Sequence, residues 1–332
     1  MTTLVEKIEH VLYGIAYGDA LGMPTENMTQ AEIKRRYGRV TTFLPSPADG
    51  PLNRGLVAGQ ITDDTANSVF VSEMLIATKG QVDRQVFVDY LMDWLANDPT
   101  GAQVTGPSTF RAVEAIKKGT PLAEAGKLGT TNGAAMKIGP MGLITPYRDL
   151  PALVQQVAEI CVPTHNTQVA IQGAAVVAAA VNYLFQNERA DWDEFYTLLA
   201  QAVTLSAPYG NQLPTPDMGQ RLSYSRQLAD DLAEDDFLKQ LYTFLGTGLP
   251  TIETVPAAIA LVYRYRGDLT QAVEAAANIG GDTDTIGAIC GAICGGYHYN
   301  LVPAMAQQLA DVNQLGLERL AQQLAPIVGK GL

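Results

Sequence analysis

Residues 280–296 read GGDTDTIGAICGAICGG, in which two aspartates alternate with threonines immediately before an apolar segment of helical character. A second acidic stretch, TDDT at residues 62–65, likewise precedes an apolar helical run at residues 66–76. Each cluster therefore lies where a loop passes into a helix. Threonine and aspartate are favoured N-cap residues, so the simplest interpretation of both clusters is helix capping.

Capping alone uses one oxygen-bearing side chain per helix and leaves the second carboxylate of each cluster unexplained. Neighbouring carboxylates repel each other, most strongly when they are removed from water. A divalent cation such as Mg²⁺, Mn²⁺ or Ca²⁺ prefers oxygen ligands and would relieve this repulsion. The two clusters can therefore also converge on a centre of two metal ions about 3.5–4 Å apart. The residues alone leave capping and metal binding as open alternatives.

The rest of the sequence is helical in pattern. Apolar residues recur at three- and four-residue spacing, as on one face of an amphipathic helix. The pattern is found at residues 3–17, 65–78, 84–96, 108–117, 151–161, 168–187, 191–203, 219–231, 234–245, 255–266, 269–277, 285–296 and 302–326. No long alternating run of β-branched residues indicates a strand. The sequence therefore predicts an all-α protein.

Turn-forming residues concentrate in three irregular stretches, 41–59, 97–107 and 205–218. None of these stretches is long and polar enough to link two domains, and the sequence has no regular repeat. Long loops in a compact domain usually serve function. We therefore predict one domain over residues 1–332, with these stretches as its functional loops.

The composition limits the partners of the chain. Its 332 residues include 22 Lys and Arg against 34 Asp and Glu, a net charge of −12, and such a surface repels nucleic-acid backbones. The longest apolar stretch, residues 169–185, is interrupted by Gln172 and Asn182, which favours a buried helix over a membrane span. We expect no nucleic-acid partner and no membrane partner. Three cysteines and an N-terminus without a basic, apolar leader predict a cytoplasmic protein.

Five segments, in the same order along the chain, resemble motifs of the ADP-ribosylglycohydrolase family. They are GDALGMPTE at 18–26, TDDT at 62–65, NGAAMK at 132–137, PTH at 163–165, and GGDTDT at 280–285 with the IGAICGAICGG that follows. Together they extend over nearly the whole chain, and five motifs in family order are highly specific. The resemblance implies an all-α fold, a single orthogonal helical domain of the ADP-ribosylglycohydrolase type.

The resemblance also implies a binuclear centre of two Mg²⁺ ions per chain, with Mn²⁺ as the other possible ion. By residue matching, the metal ligands would be Thr62, Asp63, Asp64, Asp282, Asp284 and Thr285. The activity implied is hydrolysis of the bond between the anomeric ribose carbon of an ADP-ribosyl compound and its acceptor, by water held at the metals. The expected partner is an ADP-ribosylated protein or a small ADP-ribosyl or ribosyl molecule.

Three carboxylates are candidates for catalysis. Glu26 matches the glutamate of the family's opening motif, and we expect it to act as a general base or as a mobile gate beside the metals. Asp284 would contribute to catalysis as well as to metal binding. Asp98 lies in a region where the family carries a functional aspartate, although the local match is loose.

A separate set of residues is expected to contact the substrate. These residues are Gly129, Thr130, Thr131, Asn132, Gly133 and His165. Main-chain N–H groups and small side chains in the first five would approach the ribose or the diphosphate, and His165 would bond the ribose or a phosphate. Lys137 stands where the family more often has arginine, and lysine lacks the bidentate fork that arginine presents to anions.

Two other functions remain open. The chain can be a hydrolase of a small nucleoside or riboside, or a catalytically silent relative that binds ADP-ribose without turning it over. The intact set of six predicted metal ligands argues against the silent relative. The loops at 41–59 and 205–218 are expected to determine the choice of acceptor.

Overall fold

The computed structural model describes residues 2–52 and 54–330, and these form nineteen α-helices. The first ten are α1 (Leu4–Gly22), α2 (Gln30–Tyr37), α3 (Asp63–Ala77), α4 (Arg84–Asn97), α5 (Gly101–Val104), α6 (Pro107–Lys117), α7 (Leu122–Ala125), α8 (Gly133–Met136), α9 (Met141–Ile144) and α10 (Leu150–His165). The others are α11 (Gln168–Gln186), α12 (Trp192–Ser206), α13 (Met218–Asp231), α14 (Glu234–Gln240), α15 (Thr251–Arg264), α16 (Leu269–Asn278), α17 (Thr283–Gly295), α18 (Pro303–Asn313) and α19 (Leu317–Val328). The described residues contain no β-strand, only three isolated bridges, so the all-α prediction is confirmed.

Helices α1 and α17 form the centre of the fold and run antiparallel at backbone contact. Gly14 lies against Gly291, and Gly18 lies against Gly287 one helical turn further along α1. A Cβ atom built on any of these glycines collides with the main chain of the opposite helix. Glycine at four-residue spacing on both helices therefore lets the backbones touch, and this contact brings the C-terminal end of α1 to the N-terminal end of α17.

Helix α11 lies in the core. By length and composition it could cross a membrane, but 89% of its apolar window is buried inside the molecule. Its buried residues include Asn182, which donates to the carbonyl oxygen of Gly142 and accepts from the main-chain N–H of Tyr147, both at 2.6 Å. The polar residue that interrupts the apolar stretch is thus satisfied by neighbouring backbone, and the prediction of a buried helix is confirmed.

The structure departs from the predicted helices in several places, and it adds four short helices that were not predicted, α5, α7, α8 and α9. The predicted helix at 302–326 is two helices, because Gln314 and Gly316 adopt left-handed backbone conformations between α18 and α19. The predicted helix at 234–245 is α14 followed by a single π-helical turn, Leu241–Leu245. The sequence pattern missed α2 because that helix is mostly polar and buries only Ile33.

Candidate active site

Segments that are distant in sequence meet at one cleft. The cleft is bounded by the turn after α1, the loop before α3, the starts of α3 and α17, the segment before α6, and the turn that leads into α8. The residues that line it include Glu26, Arg54, Asp63, Asp64, Thr131, Asn132, Gly133, Asp282, Asp284 and Thr285. Both acidic clusters found in the sequence therefore face the same space.

The N-cap positions of α3 and α17 test the capping interpretation of these clusters. Thr62 occupies the N-cap position of α3, and Asp282 occupies that of α17, yet neither side chain bonds to the start of its helix. The interpretation of the clusters as helix caps is therefore wrong. The carboxylates of both clusters are buried around the cleft instead.

Asp19, on α1, performs the capping of α3 from outside that helix. Its Oδ2 accepts the main-chain N–H and the hydroxyl of Thr65 at 3.0 and 2.6 Å, and the main-chain N–H of Thr62 donates to Asp19 at 3.0 Å. The hydroxyl of Thr62 lies 2.9 Å from Oδ1 of Asp19 and 3.0 Å from Oδ2 of Asp64. Because Asp19 satisfies the helix start, Asp63 and Asp64 are left free to face the cleft.

The turn before α8 is tied to the second cluster. The amide Nδ2 of Asn132 donates to Oδ2 of Asp282 at 2.6 Å and to Oγ1 of Thr254 at 2.9 Å. The main-chain N–H of Asn132 donates to the carbonyl oxygen of Leu249 at 3.0 Å. These bonds fix the position of Asp282. Sequence analysis placed Asn132 in a substrate-binding turn and did not predict its bond to the aspartate.

The carboxylates form two sets that overlap at one residue. One oxygen from each of Asp19, Asp64 and Asp284 lies within 4.8 Å of the others, and the same holds for Glu26, Asp282 and Asp284. Ligand oxygens on opposite sides of one ion stand about 4–5 Å apart at metal–oxygen distances of about 2.0–2.6 Å. Each set thus has the dimensions of a cation site, and Asp284 belongs to both.

A buried oxygen without a partner also fits a cation. Oδ1 of Asp64 is buried and makes no hydrogen bond to any described residue. An unpaired buried carboxylate oxygen is costly. The hard-oxygen donor set and this unpaired atom together match the ligand preference of Mg²⁺ or Mn²⁺.

Burial dominates the electrostatics of the cleft. It raises the pKa of Asp64, Asp282 and Asp284 well above the ordinary range, and repulsion from neighbouring carboxylates adds to the effect. The pKa of Asp63 is raised to about 7, mainly by burial, with the N–H of Gly106 and Arg54 acting in the opposite direction. The cleft therefore holds negative charge at a high cost.

Arg54 is a feature that the sequence analysis missed. It lies in the irregular loop before α3 and forms a two-pronged ion pair with Glu26, with Nη2 3.3 Å from Oε1 of the glutamate. Burial raises the pKa of Glu26 to about 7, while the charge of Arg54 opposes the shift. No sequence signal identified this arginine, because the contact joins an irregular loop to a turn 28 residues away.

The structure does not bring every predicted residue to the cleft. Asp98 ends α4 and accepts from the hydroxyl and N–H of Thr100 and from the indole of Trp94, at 2.7–3.0 Å. These local bonds occupy its carboxylate, and Asp98 is not among the cleft-lining residues. The geometry therefore gives no support to its predicted catalytic role.

The predicted substrate-binding segment is only partly exposed to the cleft. Thr131, Asn132 and Gly133 line it, whereas Gly129 and Thr130 anchor the turn by accepting hydrogen bonds at their carbonyl oxygens. His165 is fully buried behind the turn, with Nε2 3.0 Å from Oγ1 of Thr131. Direct contact between His165 and a substrate, as the sequence analysis predicted, does not fit this position.

The fold and the cleft define a helical protein whose candidate active site is a buried cluster of carboxylates. Residues 1–330 match the family model of the ADP-ribosylglycohydrolases. The chain belongs to the ADP-ribosylglycohydrolase family, and it is a glycosidic-bond hydrolase.

Individual relatives agree with this assignment. The chain is 35% identical over 328 residues to the Escherichia coli protein YegU, covering 96% of both chains. It is 28% identical to ADP-ribosyl-[dinitrogen reductase] glycohydrolase of Rhodospirillum rubrum, covering 85% of this chain and 82% of the relative. A solved structure described as an ADP-ribosylglycohydrolase-related protein complex superposes with a TM-score of 0.69 over 100% of both chains at 21% identity, which shows a shared fold.

Proposed function

We propose that the chain hydrolyses the bond between the anomeric ribose carbon of an ADP-ribosyl compound and its acceptor, at a centre that takes two Mg²⁺ or Mn²⁺ ions. The observation that carries the proposal is the pair of carboxylate sets that share Asp284. The unpaired Oδ1 of Asp64 adds support, since a buried oxygen of this kind is suited to a cation.

The metal ligands in this proposal come from both clusters. They are the carboxylates of Asp64, Asp282 and Asp284 from the two sets, the carboxylate of Asp63 and the hydroxyl of Thr285, which line the cleft beside them, and the hydroxyl of Thr62, which contacts Asp64. When bound, divalent cations neutralise the clustered carboxylates, orient ribose hydroxyls and lower the pKa of a water molecule. Asp19 has a supporting role, because it fixes Thr62 and the first turn of α3.

Glu26 is the proposed general base. Its pKa of about 7 suits it to accept a proton near neutral pH. It belongs to the same carboxylate set as Asp282 and Asp284, so it stands beside the proposed reaction centre. Departure of the acceptor from ribose creates an oxocarbenium-like transition state, which the deprotonated water then attacks at the anomeric carbon.

The acceptor is proposed to enter beside the loop at 41–59, which contributes Leu52 and Arg54 to the cleft. The name of the Rhodospirillum rubrum relative specifies an ADP-ribosylated protein as its substrate. We propose a substrate of the same kind here, an ADP-ribosyl group attached to a protein side chain. Small ADP-ribosyl molecules are the alternative substrates.

Release of free ADP-ribose tests the proposal. Proteins and model compounds that carry ADP-ribose on a guanidinium or on a hydroxyl are incubated with the enzyme in Mg²⁺, in Mn²⁺ or in excess EDTA. We expect release with at least one linkage, loss of activity in EDTA, and loss in Asp284→Asn. Turnover of simple nucleosides alone would replace the proposal with a riboside hydrolase. ADP-ribose binding without turnover of any substrate would identify a silent relative.

A further inference from the structure

A fully buried lysine has no role in the reaction proposed above. Lys137 is 1% exposed, and its Nζ lies 4.6 Å from the centre of the Phe87 ring. Within the described part of the chain, its one hydrogen bond runs from Nζ to Oγ1 of Thr164 at 3.0 Å. Burying an ammonium group costs free energy unless a partner group compensates its charge. The hydrogen bonds that Thr164 makes in turn therefore show what this charge acts on.

Two further hydrogen bonds continue from Thr164 to the cleft. Oγ1 of Thr164 lies 2.9 Å from Nδ1 of His165, and Nε2 of His165 lies 3.0 Å from Oγ1 of Thr131. Thr131 lines the cleft. Lys137, Thr164, His165 and Thr131 thus form an unbroken hydrogen-bonded chain, which we call the lysine relay.

The lysine end sets the direction of every bond in the relay. An ammonium group can only donate, so Oγ1 of Thr164 must accept from Lys137. Thr164 has one hydroxyl proton, and Nδ1 of His165 is the acceptor in reach, because a proton directed elsewhere would be buried without a partner.

The protonation state of His165 determines the direction of its hydrogen bond to Thr131. Burial, with the nearby charges of Lys137 and Arg111, lowers the pKa of His165 well below its usual range, so the ring is neutral. A neutral ring that accepts at Nδ1 carries its proton on Nε2 and donates it to Oγ1 of Thr131. The hydroxyl proton of Thr131 then makes no hydrogen bond to another described residue and is available to the cleft.

We propose that Lys137 is a positioning residue that acts through Thr164 and His165 to present the Thr131 hydroxyl as an obligatory hydrogen-bond donor to an acceptor oxygen of the bound ligand. The inference rests on the proposed function for the identity of that ligand, an ADP-ribosyl compound whose phosphate and hydroxyl oxygens accept such bonds. The direction of the hydrogen bonds in the relay does not depend on the proposed function.

The cationic state of Lys137 agrees with this role. Burial lowers its pKa to about 8, so the amine is predominantly charged at neutral pH. The facing thiol of Cys161 has its pKa raised to about 12 by burial and is uncharged. The positive charge therefore forms no ion pair with any residue that the structure describes, and the relay is the route by which it polarises the Thr131 hydroxyl.

The tautomer of His165 tests the direction of the relay without any substrate. The chain has three histidines, so imidazole ¹⁵N–¹H correlation spectra can be assigned by comparison with His165→Gln. We expect a single neutral tautomer with the proton on Nε2. Thr164→Ser keeps the hydroxyl and should retain this tautomer, whereas Thr164→Val should lose it. A wild-type ring protonated on Nδ1 would overturn the proposal.

Lys137→Met isolates the contribution of the lysine. Without the ammonium, Oγ1 of Thr164 is free to accept from Nδ1–H as well as to donate to Nδ1, so a mixture of the two tautomers is expected. A single Nε2–H tautomer that persists in Lys137→Met would show that Thr164 sets the direction alone, and it would remove Lys137 from the proposal.

A double-mutant cycle on ADP-ribose affinity tests the effect on the ligand. Thr131→Val should weaken binding in Mg²⁺ by about tenfold, the value of one hydrogen bond. Lys137→Met should weaken it by a smaller factor, set by the fraction of the variant that loses the Nε2–H tautomer. The double variant should lose no more than Thr131→Val alone, because both changes act on the same bond. Wild-type affinity in Lys137→Met, or single losses that multiply in the double variant, would contradict the relay. Absence of wild-type binding would instead refute the proposed function, while the tautomer measurement would still decide the direction.

Discussion

Gly18 and Gly287 touch through their main chains where α1 crosses α17, and a Cβ atom on either residue would collide with the carbonyl group of the other. The contact holds the end of α1, with Asp19, against the start of α17, with Asp284. One close approach of two helices therefore assembles the carboxylates of the cleft.

Gly287→Ala should destabilise the protein and disturb the cleft together. The added methyl group meets backbone, which no rotamer change can relieve, so we expect a loss of about 3 kcal/mol or more in the free energy of unfolding. Gly219→Ala in α13 is the matched control, because its Cβ meets only the Asp217 side chain. Urea unfolding measures both variants. Equal stability of Gly287→Ala and the wild type would contradict the close-contact explanation.

The metal-free protein should lose stability as the pH rises from about 4 to about 7. Burial raises the pKa of Asp63 and Glu26 to about 7 and that of Asp64 well above its ordinary range, so the folded state binds these protons more tightly than the unfolded chain. Thermal unfolding in EDTA should give a higher Tm near pH 5 than near pH 7.5. Asp64→Asn should flatten this dependence. A Tm that rises between pH 5 and pH 7.5 would show that ionising the clustered carboxylates does not destabilise the folded protein.

Glu26→Gln should impair turnover more than metal affinity. The amide keeps the size of the side chain and still contacts Arg54, but it cannot accept a proton in the way that a general base must. We expect a loss of about a hundredfold or more in kcat with little change in Mg²⁺ affinity. Turnover is measured by ADP-ribose release and affinity by calorimetry. An unchanged kcat would remove Glu26 as the base.

Asp98→Asn should lower turnover far less than Glu26→Gln, which replaces a carboxylate of the cleft by its amide. The asparagine side chain can still accept from Thr100 and preserve the local turn. We expect kcat within about threefold of the wild type, since this carboxylate does not reach the reaction centre. A loss as large as that of Glu26→Gln would restore the catalytic role that the sequence position indicated.

The sequence predicted the helical architecture and the meeting of its acidic clusters for clear physical reasons. Apolar periodicity specifies amphipathic helices, and two aspartates at each of two helix starts leave one carboxylate per helix that capping does not use. The cluster at 62–65 and the cluster at 280–285 accordingly face one cleft.

The contacts that complete the site could not be found in this way. The pair of Arg54 and Glu26 and the bond from Asn132 to Asp282 join segments whose relative position depends on the packed fold. The sequence pattern also led to the wrong position for His165. A histidine before a buried helix has the same local sequence whether it contacts a ligand directly or lies behind a residue that does. Only the fold separates these two positions.

Calorimetric titration of the metal-stripped protein with Mg²⁺ and Mn²⁺, with and without ADP-ribose, tests the central claim most directly. We predict two equivalents of metal per chain, tighter binding when ADP-ribose is present, and loss of binding in Asp284→Asn, whose carboxylate belongs to both sets. The circular dichroism of that variant should match the wild type. Wild-type protein that binds neither metal, with or without ADP-ribose, would contradict the account.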